Sequence, residues 1–105
     1  MVGTRIIPVD NKLTIGLEPG DYCGPISGYT GDLPAVFFLK PHARDVGVPA
    51  HGRSMQHVTS PPHVFIEEPD GTLTITASIG DTRGDGSEGS DGWHGWLTKG
   101  VWISA

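Results

Sequence analysis

Five histidines, one cysteine and three tryptophans are the side chains of this sequence best suited to chemistry, and most sit among glycines and prolines. Zinc favours imidazole nitrogen and thiolate sulfur, so His51, His57, His63, His94 and Cys23 form the pool of candidate ligands. From that pool His57, His63 and His94 make the candidate metal set. Val-Thr-Ser-Pro-Pro separates the first two, and the stiff Pro61-Pro62 pair can hold them in a fixed relation. No C-x-x-C or H-x-x-x-H pair is present, so a site must draw its ligands from three separate segments. The expectation is therefore no cofactor, with zinc as the metal to test for.

The stretch SDGWHGWLTKGVW, Ser90 to Trp102, holds every tryptophan and His94. On a strand, Trp93, Gly95 and Leu97 share one face while His94, Trp96 and Thr98 share the other. A reversal about Lys99-Gly100 brings Trp102 within reach from the partner strand, and glycine at 95 leaves room for a ring or a ligand. This gives a candidate ligand- or partner-binding face of His94, Trp96 and Trp102, joined by His63. The competing reading is that tryptophans, the largest apolar side chains, supply the core of a small domain.

Other chemistry has less support. Asp81, Asp85 and Gly86 match positions one, five and six of a calcium loop. Arg83, however, occupies a ligand position, and Gly92 stands where the bidentate glutamate belongs, so an EF-hand is excluded. The Arg83-Gly84-Asp85 tripeptide is too short a match to carry recognition. Cys23 precedes Gly24-Pro25 with no base beside it, no G-x-S-x-G elbow occurs, and Glu67-Glu68 point to opposite faces of a strand. The chain is not expected to be an enzyme.

The elements that must position these residues are strands. Thr72 to Ile79 alternates, with Leu73, Ile75, Ala77 and Ile79 on one face. HVFIEE precedes it across Glu68-Pro69-Asp70-Gly71, which suits a type I turn followed by a left-handed glycine. WHGWLT and VWIS read as a closing hairpin. Ala35 to Lys40 is apolar without alternation, as in a strand covered on both faces. Lys12 to Leu17 reads as a strand, Asp21 to Pro34 as a Gly/Pro-punctuated loop, and Pro41 to Pro62 as a long irregular stretch. No helical period of useful length occurs. The prediction is an all-β fold, a small single-domain sandwich or partly open barrel with long Gly/Pro-rich loops. An N-terminal strand and loop arm spans 1–34, core strands span 35–105, and a mobile acidic loop spans 80–92.

Composition bounds the function further. The 105 residues, 36% of them apolar, fit one domain with one core. The net charge is −5, and no Lys/Arg cluster tracks phosphates, so nucleic acid is an unsuitable partner. The N-terminus lacks the apolar run of a signal peptide, and no stretch is long enough to span a bilayer, so secretion by a signal peptide and a membrane partner are not expected. A single cysteine excludes an internal disulfide.

Two motifs carry a resemblance. Thr74-Ile75-Thr76-Ala77-Ser78-Ile79 is similar to a Thr-Leu-x-Pro-Ser-Ile strand, with Ala77 in place of the proline. Trp93-His94-Gly95-Trp96-Leu97 with Gly100 is similar to a W-H-G-x-L-x-x-G hairpin. Together, over roughly 36–102, they resemble an uncharacterised small domain family of bacteria and bacteriophages. Many members carry upstream cysteine pairs that look like zinc ligands, and this chain has none. The resemblance implies a small, soluble, often phage-encoded protein. With the all-β body, the long Gly/Pro-rich arms, the acidity and the lack of a catalytic constellation, the expectation is a non-enzymatic bacteriophage structural or accessory protein, such as a head-decoration subunit. Such a protein would be made in the host cytoplasm, carried into the virion, and oligomeric there with other virion proteins. The alternative is an intracellular small-ligand or metal-binding protein, one that interferes with a host system, using the His94/Trp96 face.

Overall fold

The unbroken apolar run after Pro34 sets the architecture. In the computed structural model, which describes residues 1–28, 31–41, 55–80 and 93–105, Ala35, Val36, Phe37 and Phe38 are all buried although strand neighbours point to opposite faces. Such a strand needs a layer on each side. Val36 and Phe38 pack with Tyr22, Leu73, Ile75, Ile79, Trp93, Leu97 and Trp102. Ala35 and Phe37 pack the other way, with Leu17, Cys23, Ile26 and Leu39 and the half-buried Ile6 and Leu13.

The strands are β1 (Thr4–Ile6), β2 (Asp21–Gly28), β3 (Gly31–Phe38), β4 (Gln56–Thr59), β5 (Phe65–Glu67), β6 (Leu73–Gly80), β7 (His94–Thr98) and β8 (Val101–Ser104). They form two four-stranded sheets, ordered β1-β2-β3-β4 and β5-β6-β7-β8. Neighbours are antiparallel except β1 and β2, which are parallel. The fold is thus all-β, a sandwich whose sheets do not close into a barrel. Of the two forms expected, it takes the first. The inner faces of the two sheets make the main core, and the segment between β1 and β2 covers the outer face of the first sheet.

Three expectations are corrected. Lys12 to Leu17 is not a strand. Leu13 and Leu17 cover the first sheet while Ile15 is 54% exposed, because β1 already occupies the edge beside β2. Asp21 to Pro34 is not a loop arm, since it contains β2 and the start of β3. Its Gly24-Pro25 pair, joined by a cis bond, lies where the β2–β3 register shifts between Cys23 and Ile26. A Cβ on Gly24 would lie 2.7 Å from Ala35 O, so the glycine marks close approach of strands within the sheet. Third, Gln56–Thr59 forms β4 inside the stretch expected to be irregular. His51, the remainder of that stretch over 42–54 and the acidic segment 81–92 lie outside the described residues.

One long side of the sandwich is stitched by the first six residues. Val2 bridges Val101, Gly3 N donates to Gly100 O at 2.7 Å, and Trp102 N donates to Met1 O at 2.8 Å. The chain then crosses to the other sheet, where Thr4, Arg5 and Ile6 pair with Asp21, Tyr22 and Cys23. Arg5 reinforces the crossing. Its Nη1 donates to Glu67 Oε2 at 2.7 Å and to Gly71 O at 2.9 Å, while Nη2 donates to Gly24 O at 2.9 Å and to Glu67 Oε1. A planar guanidinium suits this fork, and one side chain thereby ties β2, β5 and the β5–β6 turn together. That turn is the one expected: Glu68 N donates to Thr72 O at 2.9 Å, and Gly71 has φ 86°. At the far end, the buried Lys40 donates from Nζ to Trp93 O at 3.0 Å, and Gly80 leaves it the space.

The hydrogen bonds and charge of Arg5 hold the Glu67 carboxyl below its usual range, against a smaller opposing effect of burial. A depressed carboxyl contributes stability above its unfolded value that is lost as the pH falls through the folded one. Urea unfolding of the wild type and of Glu67→Gln should therefore differ at neutral pH. The difference should close below the ordinary glutamate range of about 4.3. A constant gap across that range would show that Arg5 and Glu67 are not coupled.

Candidate functional site

The closing hairpin is built from strand alternation and a two-residue turn. Lys99 and Gly100 have φ of 48° and 74°, the left-handed pair that a tight hairpin connection requires. Lys99 N donates to Thr74 Oγ1 at 2.9 Å and Gly100 N to Leu73 O at 2.9 Å, which fixes the turn on β6. The turn sets the register: Thr98 opposes Val101, Leu97 opposes Trp102, and Trp96 opposes Ile103.

Trp93, Gly95 and Leu97 face inward as expected, and all three are buried. Trp93 and Trp102 meet edge to face, with centroids 5.5 Å apart and planes at 83°. Both indole N–H groups are satisfied, Trp93 Nε1 by Ser104 Oγ at 3.1 Å and Trp102 Nε1 by Gly20 O at 2.8 Å. Gly95 is required here, because a Cβ would collide with Ile103 O and with the Trp93 ring.

His94 and Trp96 share the outer face, their ring centroids 6.0 Å apart. Trp96 is 39% exposed and its cross-strand partner Ile103 is 46% exposed, so the two form an apolar pair in water. Trp102 does not belong to this face. It opposes Leu97, and residues opposed across an antiparallel pair share a side, so it is a core residue. Ile103, missed in the sequence reading, takes the place expected of it.

The remaining histidines lie apart. His63 follows the turn Ser60-Pro61-Pro62, whose two prolyl bonds are cis. Its Nδ1 sits 2.8 Å from Thr76 O. A carbonyl can only accept, so Nδ1 carries the proton and is already committed. With Val64, whose backbone pairs with Thr76, it holds an irregularity in β6. There five residues, Ile75 to Ile79, face three of β7. Ala77, at φ 66°, is exposed at this irregularity and does not share the buried face of Leu73, Ile75 and Ile79. His57 opposes Phe37 on the outer face of the first sheet, at a ring distance of 5.4 Å. The candidate metal set is thus spread over three places: the first sheet's outer face, the connection between sheets, and the second sheet's outer face. Among the described residues no three His, Cys, Asp or Glu side chains converge. Cys23 is buried, and that burial raises its thiol pKa, away from the thiolate a nucleophile or metal ligand needs.

No family model, curated protein or solved structure matches the chain. The resemblance to the phage and bacterial domain family therefore rests on its two motifs. One position departs from the pattern structurally, since proline cannot adopt the positive φ of Ala77. Among the described residues no helix is long and apolar enough to cross a membrane.

Sequence reading also missed a cleft of about 480 Å³ on the first sheet's outer face, with Leu13, Ile26, Phe37 and Met55 as apolar lining and Asp10 and Lys12 beside them. Its signal is the tetrapeptide Val9-Asp10-Asn11-Lys12. Asp and Asn tolerate positive φ, and here have 51° and 59°, between the paired Val9 and Lys12.

Separate roles for the tryptophans give separable effects on stability. Trp102→Ala should cost about 3–5 kcal/mol, as for a buried large-to-small change. Trp96→Ala should cost roughly 1 kcal/mol or less, because its ring packs in no core cluster. Urea midpoints at matched slope measure both, and comparable losses would place Trp96 in the core.

Proposed function

We propose that the protein is a non-enzymatic assembly subunit that acts through protein–protein contacts, docking by the outer face of the β5–β8 sheet. The observation that carries this reading is the Trp96–Ile103 pair, opposed across β7 and β8 and exposed to solvent beside His94. A half-exposed tryptophan on a rigid strand loses little conformational freedom on binding and supplies a large apolar area, the character of an interface hot spot. Threonines at 74, 76 and 98 occupy the same sheet and supply the polar surround of such an anchor.

The setting we propose is a bacteriophage particle, in which the chain is a head-decoration or other accessory component. This rests on the resemblance in the Thr74 to Ile79 strand and the Trp93 to Gly100 hairpin. A ligand-binding function of the His94/Trp96 face is less well supported, because Trp102 turns inward into the core and away from it.

Mass spectrometry of particles purified from the source tests the reading. The chain should appear at a fixed copy number per capsid subunit, and Trp96→Asp should lower that number at least tenfold while leaving the urea midpoint nearly unchanged. Absence of the wild-type chain from purified particles overturns the proposal. Undiminished incorporation of Trp96→Asp overturns the assignment of the face.

A further inference from the structure

We propose that the cleft on the outer face of the first sheet binds a small zwitterion with an apolar body, a free α-amino acid of the phenylalanine or leucine class. Size is the first argument. About 480 Å³ falls within the range of small-molecule sites, roughly 300–1,000 Å³, and suits a compact ligand. The second is its lining. Leu13, Ile26, Phe37 and Met55 give it an apolar surface, and the flexible thioether of Met55, 43% exposed, can adapt to a ring or a branched chain.

The third argument is that the lip is already built. Val9 and Lys12 exchange two backbone hydrogen bonds of 3.0 Å. The Asn11 amide pins the turn to β2, donating from Nδ2 to Ser27 O at 2.7 Å and accepting from Ser27 N at 3.0 Å. An ordered lip removes part of the entropy that binding would otherwise lose. It also engages the Asn11 amide on both its nitrogen and its oxygen, and the charges at the lip come from its two neighbours.

Those neighbours carry opposite charges. Asp10 and Lys12 flank Asn11 in the cleft wall, and neither is in an ion pair among the described residues. A carboxylate and an ammonium set two residues apart, beside an apolar surface, complement a ligand that carries one charge of each sign. Lys12 answers the ligand's carboxylate and Asp10 its ammonium. A simple anion leaves Asp10 uncompensated and meets a chain of net charge −5, whereas a simple amine leaves Lys12 uncompensated.

Three probes that share one ring separate these contributions: L-phenylalanine, 3-phenylpropionate and phenethylamine. In titrations followed by amide resonances, millimolar L-phenylalanine should shift Asp10 to Leu13 and Ile26 to Gly28. Each truncated analogue should bind about two- to fivefold more weakly, the range of a partly exposed charged contact. Lys12→Met should erase the advantage of L-phenylalanine over phenethylamine, and Asp10→Asn its advantage over 3-phenylpropionate. Equal binding of the three probes, no shift at millimolar ligand, or shifts centred on Trp96 would overturn the assignment. The proposal is independent of the docking face. Trp96→Ala should leave the titration unchanged, and absence from phage particles would not affect it.

Discussion

The structure depends on one constraint: β3 presents apolar side chains to both faces of its sheet and must be covered twice. Val36 and Phe38 need the second sheet, while Ala35 and Phe37 need something else. The described residues form no third sheet, and the segment between β1 and β2 supplies the second cover with Leu13 and Leu17. This explains why an alternating stretch such as Lys12 to Leu17 remains outside the ladders. A lid lying on a sheet needs apolar contacts but no strand partner, and Ile15 can face water.

The same constraint gives the first six residues their place. Covering β3 with a distant sheet joins two layers mainly by apolar contact, which is non-directional and fixes no register between them. Direction comes from the crossing of Met1 to Ile6 between β8 and β2, and from Arg5. Its guanidinium reaches two backbone carbonyls and a carboxylate on two segments far apart in sequence, β2 and the β5–β6 hairpin. The Arg5–Glu67 pair is partly exposed and so contributes modestly as an ion pair. Its carbonyl bonds to Gly24 and Gly71 make the contribution specific, since each fixes a backbone position at a turn or a register shift.

What the sequence made legible was local parity. Alternation in WHGWLT separated Trp93 from His94 and Trp96, and the alternation of Leu73 and Ile75 placed the inner face of β6. Parity across a turn was harder to read. The spacing alone places Trp102 within reach of Trp96, yet a two-residue turn at Lys99-Gly100 obliges it to oppose Leu97. That signal was present in the spacing. Other errors had no local signal. The irregularity at Ala77 depends on His63 and Val64 engaging Thr76 from another segment, and nothing in TLTITASI announces it. Likewise Gly24-Pro25 looks like loop punctuation until its strand neighbour Ala35 is known to pass within contact. Glycine marks a place where something approaches, and the sequence does not say what.

The three tryptophans show how a structural aromatic residue can be told from an available one. Trp93 and Trp102 each bury their rings and each find an acceptor for the indole N–H, on Ser104 and Gly20. Burying an unpaired N–H is unfavourable, so these acceptors are part of what makes the positions core. Trp96 meets neither condition: it is exposed, and among the described residues its one ring neighbour is His94. Its opposing residue, Ile103, is equally unemployed in the core. Were Trp96 merely covering the sheet, a threonine like those at 74 and 98 would serve the strand as well, with comparable β-propensity and less apolar surface in water. The core does not require the exposed Trp96–Ile103 pair, and for that reason the proposed docking contact is assigned to it.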